Sequence, residues 1–265
     1  LKPPGFTGRI VRRCTQGNEA DLATMTFTIV ARCPDTKALG VCLATSPLGV
    51  ASRCPQVRRG VAAISSQCHS NWRLGLLGLD LAARGLTPAA IVNALRSYDP
   101  YFDEYRQFGI VTADGAVAVH SPSKGKDYTG HRTGAGFIAM GNGLAGPQVV
   151  DAMHDAYLAN ADQEFPERLV RCVEAGYAAG GETVGQASAG LLVSAPDTDR
   201  PLVDLRVDMA SPLPADGGDA VRDLRRVFDE FKALIPYYAG YWLDHPEVST
   251  ADWLALPPTA DRVHG

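Results

Sequence analysis

The sequence predicts an α+β fold, and three features of its patterning lead there. Apolar strands come in hairpin-linked groups, helices follow in pairs, and the two kinds of element alternate in blocks rather than one by one. A parallel sheet would instead need a crossover, usually a helix, between successive strands. The chain has 265 residues, of which 46% are hydrophobic and 20% charged. That composition suits one domain with a sizeable core.

Residues 26–32 alternate, with Phe27, Ile29 and Ala31 on one face and Thr26, Thr28 and Val30 on the other, which reads as a half-buried strand. Pro34-Asp35-Thr36-Lys37 makes a turn, and residues 39–45 return as a hairpin. Residues 60–67 form a third apolar strand. Leu74, Leu77 and Leu81 share one helical face, with Gly85 to end the helix. Thr87-Pro88 then supplies an N-cap and a proline at the first helical position, opening a helix to about residue 97. Residues 108–112 and 116–120 flank Asp114-Gly115, a strong hairpin signal. A strand over 137–140, helices over 147–158 and 166–179, strands over 189–193 and 202–207, and an amphipathic helix over 220–234 complete the pattern.

The two ends read differently. Residues 1–24 have no helical or strand period and no apolar segment of a secretory signal. Residues 1–25 are therefore expected to be a leader or a misplaced start, absent from the mature protein, with Met25 as initiator trimmed before Thr26. The main domain is expected over 26–235. Residues 236–265, rich in Tyr and Trp, read as a C-terminal extension. The run Tyr237–Trp242 is a candidate interface, and a homo-oligomer is expected.

The net charge is −4, with no basic patch interleaved with aromatics, which argues against nucleic acid as a partner. No apolar run approaches the roughly 18 residues of a membrane span. Six scattered cysteines without a CxxC pair fit reduced thiols and a cytoplasmic location.

Several motifs carry chemistry. The six histidines lack metal-ligand spacing, and HExxH, P-loop and GxSxG patterns are absent. Gly141-Asn142-Gly143-Leu144-Ala145-Gly146 spells GxGxxG between a strand and a helix, but a second helix follows where a dinucleotide site needs a parallel strand. The turn is better read as a glycine bend whose amides, with Asn142, can meet an anion or developing oxyanion. Thr26 directly follows a methionine. If it becomes the first residue, its hydroxyl and α-amine form a nucleophile–base pair. Asn71 sits where a strand hands over to a helix, as a cap or as a polar donor to substrate. Cys68 beside His69, and Ser188 in Gln186-Ala187-Ser188-Ala189-Gly190, are rival nucleophiles. Neighbours on a strand face opposite ways, so the adjacency of Cys68 and His69 is weak support.

Read together, Thr26–Arg32, Gly49-Val50-Ala51-Ser52, the run 60–67, Gly130-His131-Arg132-Thr133-Gly134, the 141–147 glycine turn, Ala179-Gly180-Gly181-Glu182, Gly185–Ala189 and Asp204–Asp208 resemble the DUF1028 family. The resemblance spans about residues 26–231. It implies a four-layer αββα sandwich of the N-terminal nucleophile hydrolase type. It also implies an amidohydrolase acting on a small amide C–N bond without a cofactor. Thr26, Asn71 and Asn142 are then the expected catalytic residues. Ser46, Arg53, Gln67, His131, Gly141 and Gly143 are expected to line the substrate site, Arg53, Arg58 or Arg59 offering a guanidinium to a carboxylate. Ser46-Pro47, Glu182 and Cys68-His69-Ser70 depart from the family pattern. The alternatives are a non-catalytic binding protein on this fold, or a hydrolase using Cys68 or Ser188.

Overall fold

The computed structural model describes residues 25–256; the leader expected over residues 1–24 and the end of the extension at 257–265 lie outside the described residues. Among the described residues, ten strands form two sheets. In chain order they are β1 (Thr26–Arg32), β2 (Leu39–Thr45), β3 (Pro55–Arg58), β4 (Ala62–Cys68), β5 (Arg106–Thr112), β6 (Val117–His120), β7 (Tyr128–Gly134), β8 (Phe137–Leu144), β9 (Ser188–Ser194) and β10 (Val203–Val207). One sheet has six strands in the order β10-β9-β2-β1-β8-β7, and the other has four in the order β3-β4-β5-β6. Every pairing is antiparallel.

Helices α1 (Trp72–Ala83) and α2 (Pro88–Tyr98) cover the outer face of the four-stranded sheet, sharing a core with Ala62, Ile64, Phe108 and Ile110. A short α3 (Phe102–Tyr105) leads into β5. Helices α4 (Pro147–Ala159), α5 (Phe165–Ala178) and α6 (Ala220–Phe231) cover the outer face of the six-stranded sheet, around Phe27, Ile29, Phe137 and Leu191. Between the sheets lies a third core of Val30, Leu39, Val41, Leu43, Ala63, Val111, Ile138 and Met140. The result is a mixed α+β sandwich in which helices flank two face-to-face antiparallel sheets.

Local sequence explains these elements. Asn71 caps α1, Thr87 caps α2 with Pro88 behind it, and Asp219 caps α6 through the amides of Val221 and Arg222. β1 differs from the half-buried strand its alternation suggests: Thr26 to Ala31 are all buried. It runs between β2 and β8, with α5 on one face and the second sheet on the other, so its threonines meet protein instead of water. Two strands carry no periodic signal in the sequence. β3 is short and opens on a proline, and β7 (Tyr-Thr-Gly-His-Arg-Thr-Gly) is a half-exposed edge strand, where apolar alternation is not required.

The C-terminal aromatic segment folds back after α6. It includes α7 (Trp242–Asp244) and α8 (Thr250–Ala255). Trp253 is buried and donates its indole N–H to Ala233 O at 2.9 Å, and the Tyr237 hydroxyl donates to Val248 O at 2.7 Å. No helix among the described residues is long and apolar enough to cross a membrane.

Candidate active site

The space between the sheets is apolar through most of its length but polar at one end. Strand parity sets this up. On β1, Val30 packs in the inter-sheet core, and Thr28 and Thr26 follow on the same face. On β8 the same face carries Ile138, Met140 and then Asn142, and on β2 it carries Val41, Leu43 and then Thr45. The facing strands contribute Ser65 and Gln67 from β4 and Gln107 from β5. Thr26, Thr28, Thr45, Ser65, Gln67, Gln107 and Asn142 are all buried.

Burial of so many polar groups requires that they bond to one another. Thr28 Oγ1 donates to Gln67 Oε1 at 2.6 Å, and Ser65 Oγ donates to the same oxygen at 2.9 Å. Gln67 Nε2 donates to Gln107 Oε1 at 2.9 Å and to Thr26 O at 3.3 Å. Asn142, opposite Thr26 in the sheet, donates from Nδ2 to Gln107 Oε1 at 3.1 Å and to Thr26 O at 3.4 Å. Gln107 Nε2 in turn reaches Gly141 O at 2.9 Å and Ser121 Oγ at 3.0 Å. The network holds the first residue of β1 by its carbonyl.

The hydroxyl of Thr26 points the other way along the strand. Thr26 Oγ1 and Thr45 Oγ1 both donate to the carbonyl of Met25, and the two hydroxyl oxygens are 3.3 Å apart. Met25 itself is buried and packs on Gly143. Gly143 has φ +65°, and a Cβ there would meet Met25 Cγ at 2.3 Å. Glycine is thus required both for the left-handed backbone and for the close approach. A Cβ at Gly141 would lie 3.0 Å from Thr26 O and 2.6 Å from Leu144 Cδ1, so this glycine also lets β8 sit tightly against β1. Gly141 and Gly143 belong to β8, and the strand that follows α4 and α5 pairs antiparallel with its neighbours, a context unlike a dinucleotide-binding unit.

Ser46 follows Thr45. Its amide donates to Glu182 Oε2 at 2.6 Å, and the Glu182 segment bridges to Leu144 beyond Asn142 on β8. Burial pushes the Glu182 carboxyl well above the usual carboxylate range, against the opposing effect of the Ser46 amide and the nearby Ser46 and Thr45 hydroxyls. Glu182 Oε1, Ser46 Oγ and Asn142 Oδ1 are buried without a hydrogen-bond partner.

The remaining expected residues lie elsewhere or are committed. Asn71 is the N-cap of α1: its Oδ1 accepts from the Arg73 amide at 3.2 Å and its Nδ2 donates to Asp99 at 3.0 Å. Ser66, which faces the helix side of β4, donates to Asn71 O, so Asn71 sits across the four-stranded sheet from Thr26. Burial of Asp99 would raise its pKa. Hydrogen bonds from Asn71, the Tyr101 amide and Arg106 outweigh this and hold it low. Arg53 folds its guanidinium onto Leu48 O and Gly49 O of its own loop. Arg58 pairs with Asp80 and Arg59 with Asp199. His131 joins the outer end of the network, with Nδ1 2.8 Å from Ser121 Oγ, and burial lowers its pKa.

The rival nucleophiles sit in other surroundings. Ser188 Oγ donates to Pro47 O at 2.7 Å and accepts from the Val50 amide at 3.0 Å, tying down the loop after β2. Cys68 is buried with φ +62°, and burial raises its thiol pKa, which disfavours the thiolate. Among the described residues no group of three His, Cys, Asp or Glu side chains is placed to hold a metal ion.

A family model described as "Family of unknown function (DUF1028)" matches residues 26–216. The chain belongs to the DUF1028 family. Its fold also resembles the crystal structure of the DUF1028 protein SPO2555 from Silicibacter pomeroyi. The two share 29% identity and a TM-score of 0.70, over 78% of this chain and 89% of that one. No curated protein matches it. The family match begins at Thr26, the residue on which the polar end of this DUF1028 sandwich converges.

Thr45, Gln107, Thr28 and Ser65 are the site residues that motif reading missed. Their signal was present as polar residues at the inward parity of otherwise apolar strands, all at one end of the sheets.

Proposed function

We propose that this protein is an amidohydrolase of the N-terminal nucleophile type, cleaving a small-molecule amide C–N bond with Thr26 as its first residue. The observation that carries the reading is the placement of Thr26 Oγ1 and Thr45 Oγ1 on one carbonyl, that of Met25, at a buried polar end between two sheets. On this reading the Met25 carbonyl stands in for the substrate acyl group in front of the nucleophile.

With Met25 gone, the Thr26 α-amine takes the proton of its own Oγ1, directly or through a water. An α-amine titrates near about 7.7–8, so a useful share is neutral at cytoplasmic pH. Oγ1 attacks the amide carbon, and the electron pair of the C=O bond moves onto oxygen. On this reading Thr45 Oγ1 donates to that oxyanion, and the Asn142 side-chain amide holds Thr26 in place through its carbonyl. Losing one such donor typically costs about 3–4 kcal/mol of transition-state stabilisation. The ammonium then gives its proton to the leaving nitrogen, and water releases the acyl group from its ester with Thr26. Gly143 lines the space that Met25 fills, and Ser46 follows Thr45 at the end of β2. The α+β sandwich is compatible with the four-layer type, and the proposal includes that type, a cofactor-free reaction and a cytoplasmic homo-oligomer.

The test is the terminus together with the nucleophile. Active protein from its native host should begin at Thr26 by mass and N-terminal sequencing. Thr26→Ala should abolish amide turnover, and Thr26→Ser should keep a fraction. Tight binding of a small molecule by an unprocessed chain without turnover would instead favour a binding protein on this fold.

A further inference from the structure

Glu182 is a buried carboxyl at the end of β2, against Ser46. Register fixes where it stands. Thr26 pairs with Asn142 on β8, and Phe27 pairs with Ala44 on β2. One step further places Thr26 beside Thr45, and the next places Met25 between Gly143 and Ser46. Ser46 donates its amide to Glu182, and Glu182 itself bridges to Leu144. The Ala145 amide donates to Gly181 O at 3.0 Å, which fixes the segment. Glu182 therefore spans from β8 to the end of β2, across the open end of β1.

A buried carboxyl needs a cation, or donors for both oxygens. Glu182 is 4% exposed, and Oε1 has no partner. Among the described residues it makes no ion pair. Among the described residues, its named neighbours are uncharged: Thr45 and Ser46 at the end of β2 and Leu144 on β8. A new positive charge at the start of β1 would supply what is missing.

We propose that Glu182 is the counter-ion of the Thr26 α-amine, a positioning residue that holds the amine against Oγ1 and matches the ammonium formed during attack. This rests on the N-terminal reading above. An amine buried without a counter-charge is a weakened base, because desolvation disfavours its ammonium form. A carboxylate beside it restores its basicity toward the working pH, where general-base catalysis is most effective. The reacting form holds carboxylate and free amine. The Oγ1 proton passes to the amine, the Oγ1 electron pair forms the bond to the substrate carbon, and no proton moves to Glu182. At lower pH the pair carries one extra proton and is inactive.

The titration can be read without a substrate. The chain is released from a cleavable N-terminal fusion so that it begins at Thr26, with its start checked by mass. It is labelled with 15N-threonine, and the α-amine nitrogen, which resonates apart from the amides, is followed against pH. Glu182→Gln should lower the α-amine pKa by about one unit or more. Glu182→Asp, which keeps the charge on a shorter arm, should restore part of the shift and controls for folding. Superimposable titrations of wild type and Glu182→Gln would overturn the proposal. A difference that Glu182→Asp fails to reduce would also overturn it, pointing to a structural cause. Thr26→Ala separates this from the underlying reading. Loss of turnover with an unmoved titration removes Glu182 alone, whereas retained turnover in Thr26→Ala removes the N-terminal mechanism.

Discussion

Thr45 Oγ1 stands 3.3 Å from Thr26 Oγ1, and both hydroxyls donate to the carbonyl of Met25. Two adjacent strands thus present two hydroxyls to one carbonyl, at the point where the family match begins. If Thr45 donates to the substrate carbonyl, Thr45→Val should lower kcat by about 10²-fold or more while leaving KM within a few-fold. Thermal unfolding should show only a modest loss. An unchanged kcat would remove Thr45 from the reaction.

Asn71 and Asn142 should separate cleanly. Asn71→Ala loses a helix cap and a donor to Asp99, a stability loss of about 1–2 kcal/mol, with turnover per folded molecule unchanged. Asn71→Ser keeps a capping group and should lose less. Asn142→Ala should lower turnover by about 10²-fold, because its amide holds the Thr26 carbonyl and so positions the nucleophile. Urea unfolding and steady-state kinetics on the same preparations test both.

The Gln107 side chain accepts from Gln67 and Asn142 and donates to Gly141 O. Gln107→Leu removes one partner from each of those buried groups and should cost about 2–3 kcal/mol of stability, read as a lower urea midpoint. Ser188→Ala should loosen the loop anchored at Pro47 and Val50, and Cys68→Ala should leave turnover unchanged.

Glu182 gives the chain that retains Met25 a pH-dependent stability. Its folded pKa lies above the ordinary 4.5, so the folded state keeps a proton that the unfolded chain has lost. The stabilising contribution is fully present below pH 4.5 and disappears as pH rises toward the folded value. Glu182→Gln resembles the protonated acid and still offers an oxygen to the Ser46 amide. It should match wild type near pH 4 and exceed it in urea midpoint at pH 8. Parallel pH profiles for the two proteins would contradict this.

Much of the fold could be read from local chemistry. The β1–β2 and β5–β6 hairpins follow from alternation around turn residues, and Thr87-Pro88 marks the start of α2 to the residue. β3 and β7 could not be read this way, because a short strand opening on proline and a glycine-rich edge strand need no apolar period. At the site, Thr26 and Asn142 are direct neighbours across β1 and β8. Asn71 illustrates the limit. A polar residue between a strand and a helix suits a cap or a substrate donor equally, and only the strand parity of Ser66 places it on the far side of the sheet. Glu182 stood out only as a departure from the family pattern, since its meeting with Ser46 spans 136 residues of sequence.

The most direct test is the N-terminus of catalytically active protein isolated from its native host. The account predicts a single species beginning at Thr26, whose turnover is lost in Thr26→Ala. Active protein that begins at Met25, or at any earlier residue, would contradict it.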